Sequence, residues 1–326
     1  MENGHLPAPS GWGRQVVIYL STYALPVFIC LHVVISVVSC YFFFTLSYNQ
    51  DMLRRSLTLA LTAPTHTECL IGIENAIATV TFNRPARKNA IGTVFLSELR
   101  AAIDFCRDNA PSGDVRAVVI ASAVDRVFCA GADLKERKEM SPEEARAFVD
   151  SLRSALCAIE DLPIPTICAI EGAALGGGLE VALATDIRIA GVEAKLGVPE
   201  TGLAIIPGAG GTQRLPRTVG PAHAKELAFT GLPVDGKRAA DIGLVNHVVE
   251  KGGALGRAIE MATAISKNGP IAVQCAKRAI VDGAFLGRDE AMAVERKQYE
   301  VVLGTKDRLE GLAAFQERRK PVYKGQ

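Results

Sequence analysis

The chain has no C-x-x-C pair among its eight cysteines, and no two of its five histidines stand at metal-ligand spacing. The first absence argues against a disulfide framework and points to reduced, mostly buried thiols in an intracellular compartment. The second argues against a histidine-based metal site. Neither sign of charge dominates, since 36 Lys and Arg oppose 35 Asp and Glu. There is thus no basic field to gather nucleic acid and no acidic excess to favour disorder. No internal repeat or low-complexity tract is present either.

One stretch lacks charge altogether. Residues 15–50 contain no Lys, Arg, Asp or Glu and are strongly apolar, interrupted only by Pro26 and His32. That run exceeds the ~20 residues needed to span a bilayer. Immediately after it, residues 52–62 carry Arg54 and Arg55 among leucines and hydroxyls, again without an acid. This is the composition of a mitochondrial presequence. Two expectations compete: a membrane anchor through residues 16–48, or a matrix enzyme translated from Met52 and trimmed before Cys69, with residues 1–51 an over-extended gene model. The expected organisation is therefore 1–51 apolar extension, 52–67 presequence and linker, 68–260 catalytic core and 261–326 helical region.

From residue 68 onward, short apolar strands alternate with amphipathic helices. Strands are expected at 70–74, 76–82, 116–122, 166–170, 186–190 and 244–249. Early helices are expected at 93–107, with Thr93 as N-cap, then from Ser141-Pro142-Glu143-Glu144 to about 160, and at 177–185. After Pro207 the pattern turns helical: 207–219, 221–229, 235–242, 254–267, 270–283, 288–303 and 306–318. Alternation first and helices later imply an α/β core with a helical C-terminal region.

The chemistry concentrates in residues 168–214. A triple glycine (Gly176, Gly177, Gly178) opens a helix carrying Glu180, and Glu200 lies in a Val-Pro-Glu-Thr turn before a second glycine cluster at Gly208, Gly210 and Gly211. Glycines at a helix start let backbone approach a ligand, and free N–H groups there face negative charge. Two carboxylates near such donors point to acid/base chemistry on a polarised carbonyl. Singly, each feature has a plainer account: a tight strand-to-helix turn, a carboxylate at a helix N-terminus, a solvated turn residue.

Together with the earlier loop CAGADLKE, the segments GAALGGGLEVALATDIRIA, VPE and AIIPGAGGTQRLPR resemble the crotonase (enoyl-CoA hydratase/isomerase) superfamily, over about residues 69–326. Within it, CAGADLKER and the ending TKDRLEGLAAFQERRKPVYKG are most similar to the AU-binding methylglutaconyl-CoA hydratases. The resemblance implies a spiral of ββα turns with a helical trimerisation region, assembled as a homotrimer or dimer of trimers. It implies oxyanion donors at Ala132 and Gly177, a water-activating Glu180, and a Glu200 that protonates Cα. Coenzyme A contacts are implied at Arg87, Lys88, Ala130 and Lys135, and at Phe315 and Arg318 across a subunit boundary. No cofactor is expected, because coenzyme A enters as part of the acyl-CoA thioester substrate. Both carboxylates favour a hydratase over a Δ3,Δ2-enoyl-CoA isomerase. RNA binding is not expected: helix 93–107 and its next residues carry Arg100 and Arg107 against Glu98, Asp104 and Asp108, too little positive charge to track phosphates. The sequence singles out no residue as a clamp for a substrate carboxylate.

Overall fold

The computed structural model describes Pro64 and residues 66–326. The uncharged run and the arginine-bearing segment after it, and with them the anchor and presequence expectations, lie outside the described residues. Among the described residues no helix is long and apolar enough to cross a membrane.

Two strands open the fold, β1 (Cys69–Glu74) and β2 (Ile77–Phe82), joined antiparallel through Asn75 and Ala76, both at positive φ. Then come helix α1 (Thr93–Asp108), β3 (Ala117–Ser122) and β4 (Val127–Cys129), followed by the short α2 (Leu134–Lys138) and the long α3 (Pro142–Glu160). The next turn holds β5 (Thr166–Ile170), β6 (Ala173–Leu175) and α4 (Gly177–Leu183). The one after it holds β7 (Ile187–Gly191), β8 (Lys195–Gly197) and α5 (Gly211–Thr230). Strands β9 (Val234–Asp235) and β10 (His247–Val249) flank α6 (Gly236–Asp241). Helices α7 (Ala254–Ser266), α8 (Pro270–Gly283), α9 (Arg288–Leu303) and α10 (Lys306–Glu317) complete the chain.

Each turn sends one strand to each of two sheets. The larger runs β1-β2-β3-β5-β7-β10, parallel from β2 onward, and the smaller runs β4-β6-β8-β9 with β4, β6 and β8 parallel. Strand β3, Ala-Val-Val-Ile-Ala-Ser, is buried along both faces, as a parallel strand covered on two sides must be. Its Val118 and Ile120 enter the main core with Phe82, Phe95 and Phe128. Its Ala117, Val119 and Ala121 pack instead with Ala254, Ala258 and Ala262 of α7. The expected boundary at residue 260 falls inside α7, which is one continuous helix, so the sheet-covering part extends to Ser266.

Most expected elements have a counterpart, and the differences have local causes. Strands β4, β6, β8 and β9 had none, being two or three residues long and too short to show a period. Thr93 is the first helical residue and not the N-cap; Gly92 takes that position. The capping acceptor comes from α2, where Glu136 accepts from Thr93 N at 2.9 Å and Thr93 Oγ1 at 3.2 Å. A Cβ on Gly92 would run into that carboxylate. The break expected between 219 and 221 is present, with Gly220 at φ 78° and ψ 157° ahead of Pro221.

Glu98 of α1 fastens the start of the described fold. Its carboxylate accepts from the backbone N of Thr67, Glu68 and Cys69 and from Thr67 Oγ1, at 2.7–3.1 Å. Burial alone would raise this carboxyl; the donors of Thr67, Cys69 and Glu68 overcome that and hold it below its ordinary 4.5. Its stabilising contribution is therefore present above pH 4.5 and lost as pH falls through the depressed value. Glu98→Ala should cost about 1–3 kcal/mol in urea unfolding at pH 7, with a smaller cost at pH 3. An equal cost at both pH values would contradict this account.

Candidate functional site

Three equivalent strand ends build the site. Ala132 lies three residues past β4, Gly177 two past β6 and Glu200 three past β8, and these strands are parallel neighbours in the smaller sheet. All three residues line one cleft of roughly 570 Å³, with Glu180 from the first turn of α4. Carboxyl ends of adjacent parallel strands thus converge on one space.

The backbone there is drawn together by glycine. Gly131 sits at φ +95°, and a Cβ on it would lie 2.9 Å from Leu175 O and 3.4 Å from Gly177 N. A Cβ on Gly177 would lie 3.6 Å from Ala132 N, so the two residues are close neighbours on the cleft wall. The Ile91–Ala132 bridge uses the groups on either side: Ile91 N donates to Gly131 O, and Asp133 N to Ile91 O. Ala132 N donates to nothing among the described residues. Gly177 N belongs to the first turn of α4, where N–H groups have no intrahelical acceptor. Two such donors side by side are the kind of pair that can stabilise an oxyanion.

Salt bridges fix the loop that carries Ala132. Arg84 donates to Asp133 Oδ2 at 2.8 Å, to Glu136 Oε1 at 2.7 Å and to Ala90 O at 2.7 Å, and pairs with Glu68 at 2.8 Å. Asp133 also caps α2, accepting from the N–H of Lys135 and Glu136. Asn89, fully buried, accepts from Arg84 N and donates to Ser122 Oγ and Phe128 O.

Glu180 is almost wholly buried, and its Oε1 accepts from Ala209 N at 2.8 Å and Gly211 N at 2.7 Å. The second glycine cluster, Gly208 to Gly211, therefore orients this carboxylate. Two arginines steady that turn. Arg153 donates to Gly208 O, and Arg214 donates to Ala209 O while pairing with Glu160. Burial raises the Glu180 carboxyl above its ordinary 4.5, against the pull of the Gly211 and Ala209 N–H groups and of Arg214 and Arg153.

Glu200 is treated differently. Gly176 is at φ 53°, where glycine is favoured, and a Cβ there would lie 2.8 Å from Glu200 Oε1 and so push this carboxyl aside. Its Oε2 is buried without a hydrogen-bond partner among the described residues. Burial, with the Glu180 charge adding, pushes this carboxyl up to about 7. One carboxylate is thus braced by backbone donors, while the other is poised to hold a proton near neutral pH.

The expected coenzyme A residues divide. Ala130 lines the cleft, and its N–H donates to Lys88 O at 3.1 Å, which brings Lys88 to the loop. Arg87, Lys88 and Lys135 are exposed and do not line it, and neither do Phe315 and Arg318 on and just after α10. Asp186 organises backbone, accepting from Thr166 N and Oγ1 and from Lys277 Nζ. Sequence reasoning missed Arg84, Asn89, Glu136, Arg153 and Arg214. Arg84 and Arg214 stand beside recognisable motifs, yet their partners lie about 50 residues away in the chain.

A family model described as enoyl-CoA hydratase/isomerase matches residues 72–326. The chain belongs to the enoyl-CoA hydratase/isomerase family and has its crotonase fold. It is 53% identical over 256 residues to a protein of Arabidopsis thaliana named probable enoyl-CoA hydratase 2, mitochondrial, covering 78% of this chain and 84% of the relative. It is 46% identical over 254 residues to the human mitochondrial methylglutaconyl-CoA hydratase, covering 77% and 74%. The crystal structure of an enoyl-CoA hydratase from Bacillus anthracis superimposes with a TM-score of 0.77 at 44% identity, over 80% of this chain and all of that one.

If Glu180 and Glu200 share one water and one proton, Glu180→Gln and Glu200→Gln should each lower kcat about 10²–10⁴-fold with little change in thioester affinity. The double variant should lose little more than either single one, since the groups act as a unit. Glu200 also binds its proton more tightly in the folded chain, between its ordinary 4.5 and about 7. Stability should therefore fall as pH rises through that window, and Glu200→Gln should flatten the fall in thermal melts at pH 5 and pH 8. A variant with unaltered hydration rates would remove the proposed pairing.

Proposed function

We propose that the chain is a hydratase-type lyase that adds water across the 2,3 double bond of a short-chain 2-enoyl-CoA, with 3-methylglutaconyl-CoA as the most specific candidate. The observation that carries this reading is the convergence of two free N–H donors, a braced carboxylate and a protonatable one on a single cleft. Ala132 N and Gly177 N hold the thioester oxygen as it gains enolate charge, each worth about 3 kcal/mol of barrier. Glu180, with Oε1 fixed by two N–H groups, keeps its other oxygen to orient a water and take its proton. Hydroxide character adds to C3, and the protonated Glu200 delivers hydrogen to C2. Each carboxyl then returns to its starting state by proton exchange through the product or solvent, and coenzyme A leaves with the 3-hydroxyacyl group.

An isomerase needs only one group to move a proton between carbons, and two dissimilar carboxyls exceed that need. Relatives at 46–53% identity bear names for both general enoyl-CoA and methylglutaconyl-CoA hydratases, which supports the reaction and leaves the acyl group a proposal. Purified protein given crotonyl-CoA should lose its enoyl-thioester ultraviolet absorbance as the 3-hydroxyacyl product forms. Conversion of a 3-enoyl to a 2-enoyl thioester with hydration of neither would favour the isomerase.

A mitochondrial matrix location and a trimeric or hexameric assembly belong to the same proposal. The first is supported by the mitochondrial names of relatives and the composition of residues 52–62. The second is supported by exposed apolar side chains on the C-terminal helices, among them Ile280, Leu309, Leu312 and Phe315. Endogenous protein should appear in the soluble fraction after carbonate extraction of mitochondria, at the mass of a trimer or hexamer. A carbonate-resistant chain that retains residues 16–48, or a monomer, would count against it.

A further inference from the structure

Two guanidinium groups stand on the cleft wall, and they are engaged differently. Arg153 on α3 serves the fold: Nε and Nη2 donate to Gly208 O at 3.1 and 2.8 Å, and Nη1 donates to Asp150 at 2.9 Å. Arg137 on α2 is half-buried, yet its side chain donates to nothing and pairs with no acid among the described residues. A guanidinium carries five donors in a rigid fork suited to a carboxylate, so an unengaged one on a binding wall calls for an anionic partner.

Helix geometry gives that partner a place. Residues three apart share a helix face, whereas residues two apart point to opposite sides. Leu134 and Arg137 accordingly both line the cleft, and Lys135 between them does not. The surrounding wall is apolar, with Val149 and Leu152 of α3 and Ile205 and Ile206 of the loop before α5. Arg137 therefore sits among the side chains that surround an acyl group, while the exposed Arg87, Lys88 and Lys135 lie off that wall.

We infer that Arg137 is a specificity-determining residue, which pairs with a carboxylate at the far end of the acyl chain and so favours 2-enoyl thioesters of dicarboxylic acids. This rests on the hydratase reading. The same fork could instead take a phosphate of coenzyme A, and substrates differing only in the acyl terminus separate the two sources. Glutaconyl-CoA and 2-pentenoyl-CoA share a five-carbon 2-enoyl chain; the first ends in a carboxylate and the second in a methyl group.

The test is the ratio of kcat/KM for glutaconyl-CoA to that for 2-pentenoyl-CoA, in the unaltered protein, in Arg137→Gln and in Arg137→Lys. A charge-assisted hydrogen-bonded pair predicts a 10- to 100-fold fall in this ratio for Arg137→Gln and a smaller fall for Arg137→Lys. An unchanged ratio overturns the inference, whether both rates fall together, as a phosphate contact would cause, or neither falls. Hydration of neither thioester by the unaltered protein would remove the hydratase reading itself, and this inference with it. Hydration of both with an unchanged ratio removes the inference alone.

Discussion

The site depends on one close approach, that of the chain after β4 to the chain after β6. Two backbone amides can face one oxygen only if no side chain stands between them. Gly131 at φ +95° and Gly176 at φ 53° supply both the room and the conformation. A Cβ at Gly131 would press on Leu175 O, one at Gly176 on the Glu200 carboxyl, and one at Gly178 on the Cys129 carbonyl. These three positions therefore hold the donor pair, the acid and the sheet contact in one arrangement. Substituting any of them would displace more than the residue changed.

Around that approach, charge is distributed so that two carboxyls can share one cleft without repelling each other apart. Backbone donors on Glu180 Oε1 favour its ionised form locally, and its charge in turn helps keep the proton on Glu200. The donors belong to a turn whose own carbonyls are taken by Arg153 and Arg214. Arg84 does the same for the Ala132 loop through Asp133 and Glu136. Cationic side chains thus act on the cleft at one remove, by fixing the turn that braces Glu180 and the loop that carries Ala132.

How much of this the sequence disclosed depends on range. Local chemistry was legible: the helix start at Ser141-Pro142-Glu143-Glu144 and the break between 219 and 221 each depend on residues within one or two turns. The family segments made Ala132, Gly177, Glu180 and Glu200 candidates together. The Thr93 cap misled because its acceptor, Glu136, comes from 43 residues away. Arg84 and Arg214 stayed unread for the same reason, since an arginine's partners across a fold leave no periodic trace. The smaller sheet was missed because strands of two or three residues are defined by their neighbours rather than by their own pattern.

Selectivity occupies a different level of the structure from catalysis. The reacting groups come from strand ends and glycine turns, where backbone geometry admits few substitutions. The apolar wall and its unengaged guanidinium come from α2, α3 and the loop before α5, where side chains can change without moving the donors. The unengaged Arg137 faces the cleft from α2, a helix of five residues that carries none of the free N–H donors or cleft carboxyls.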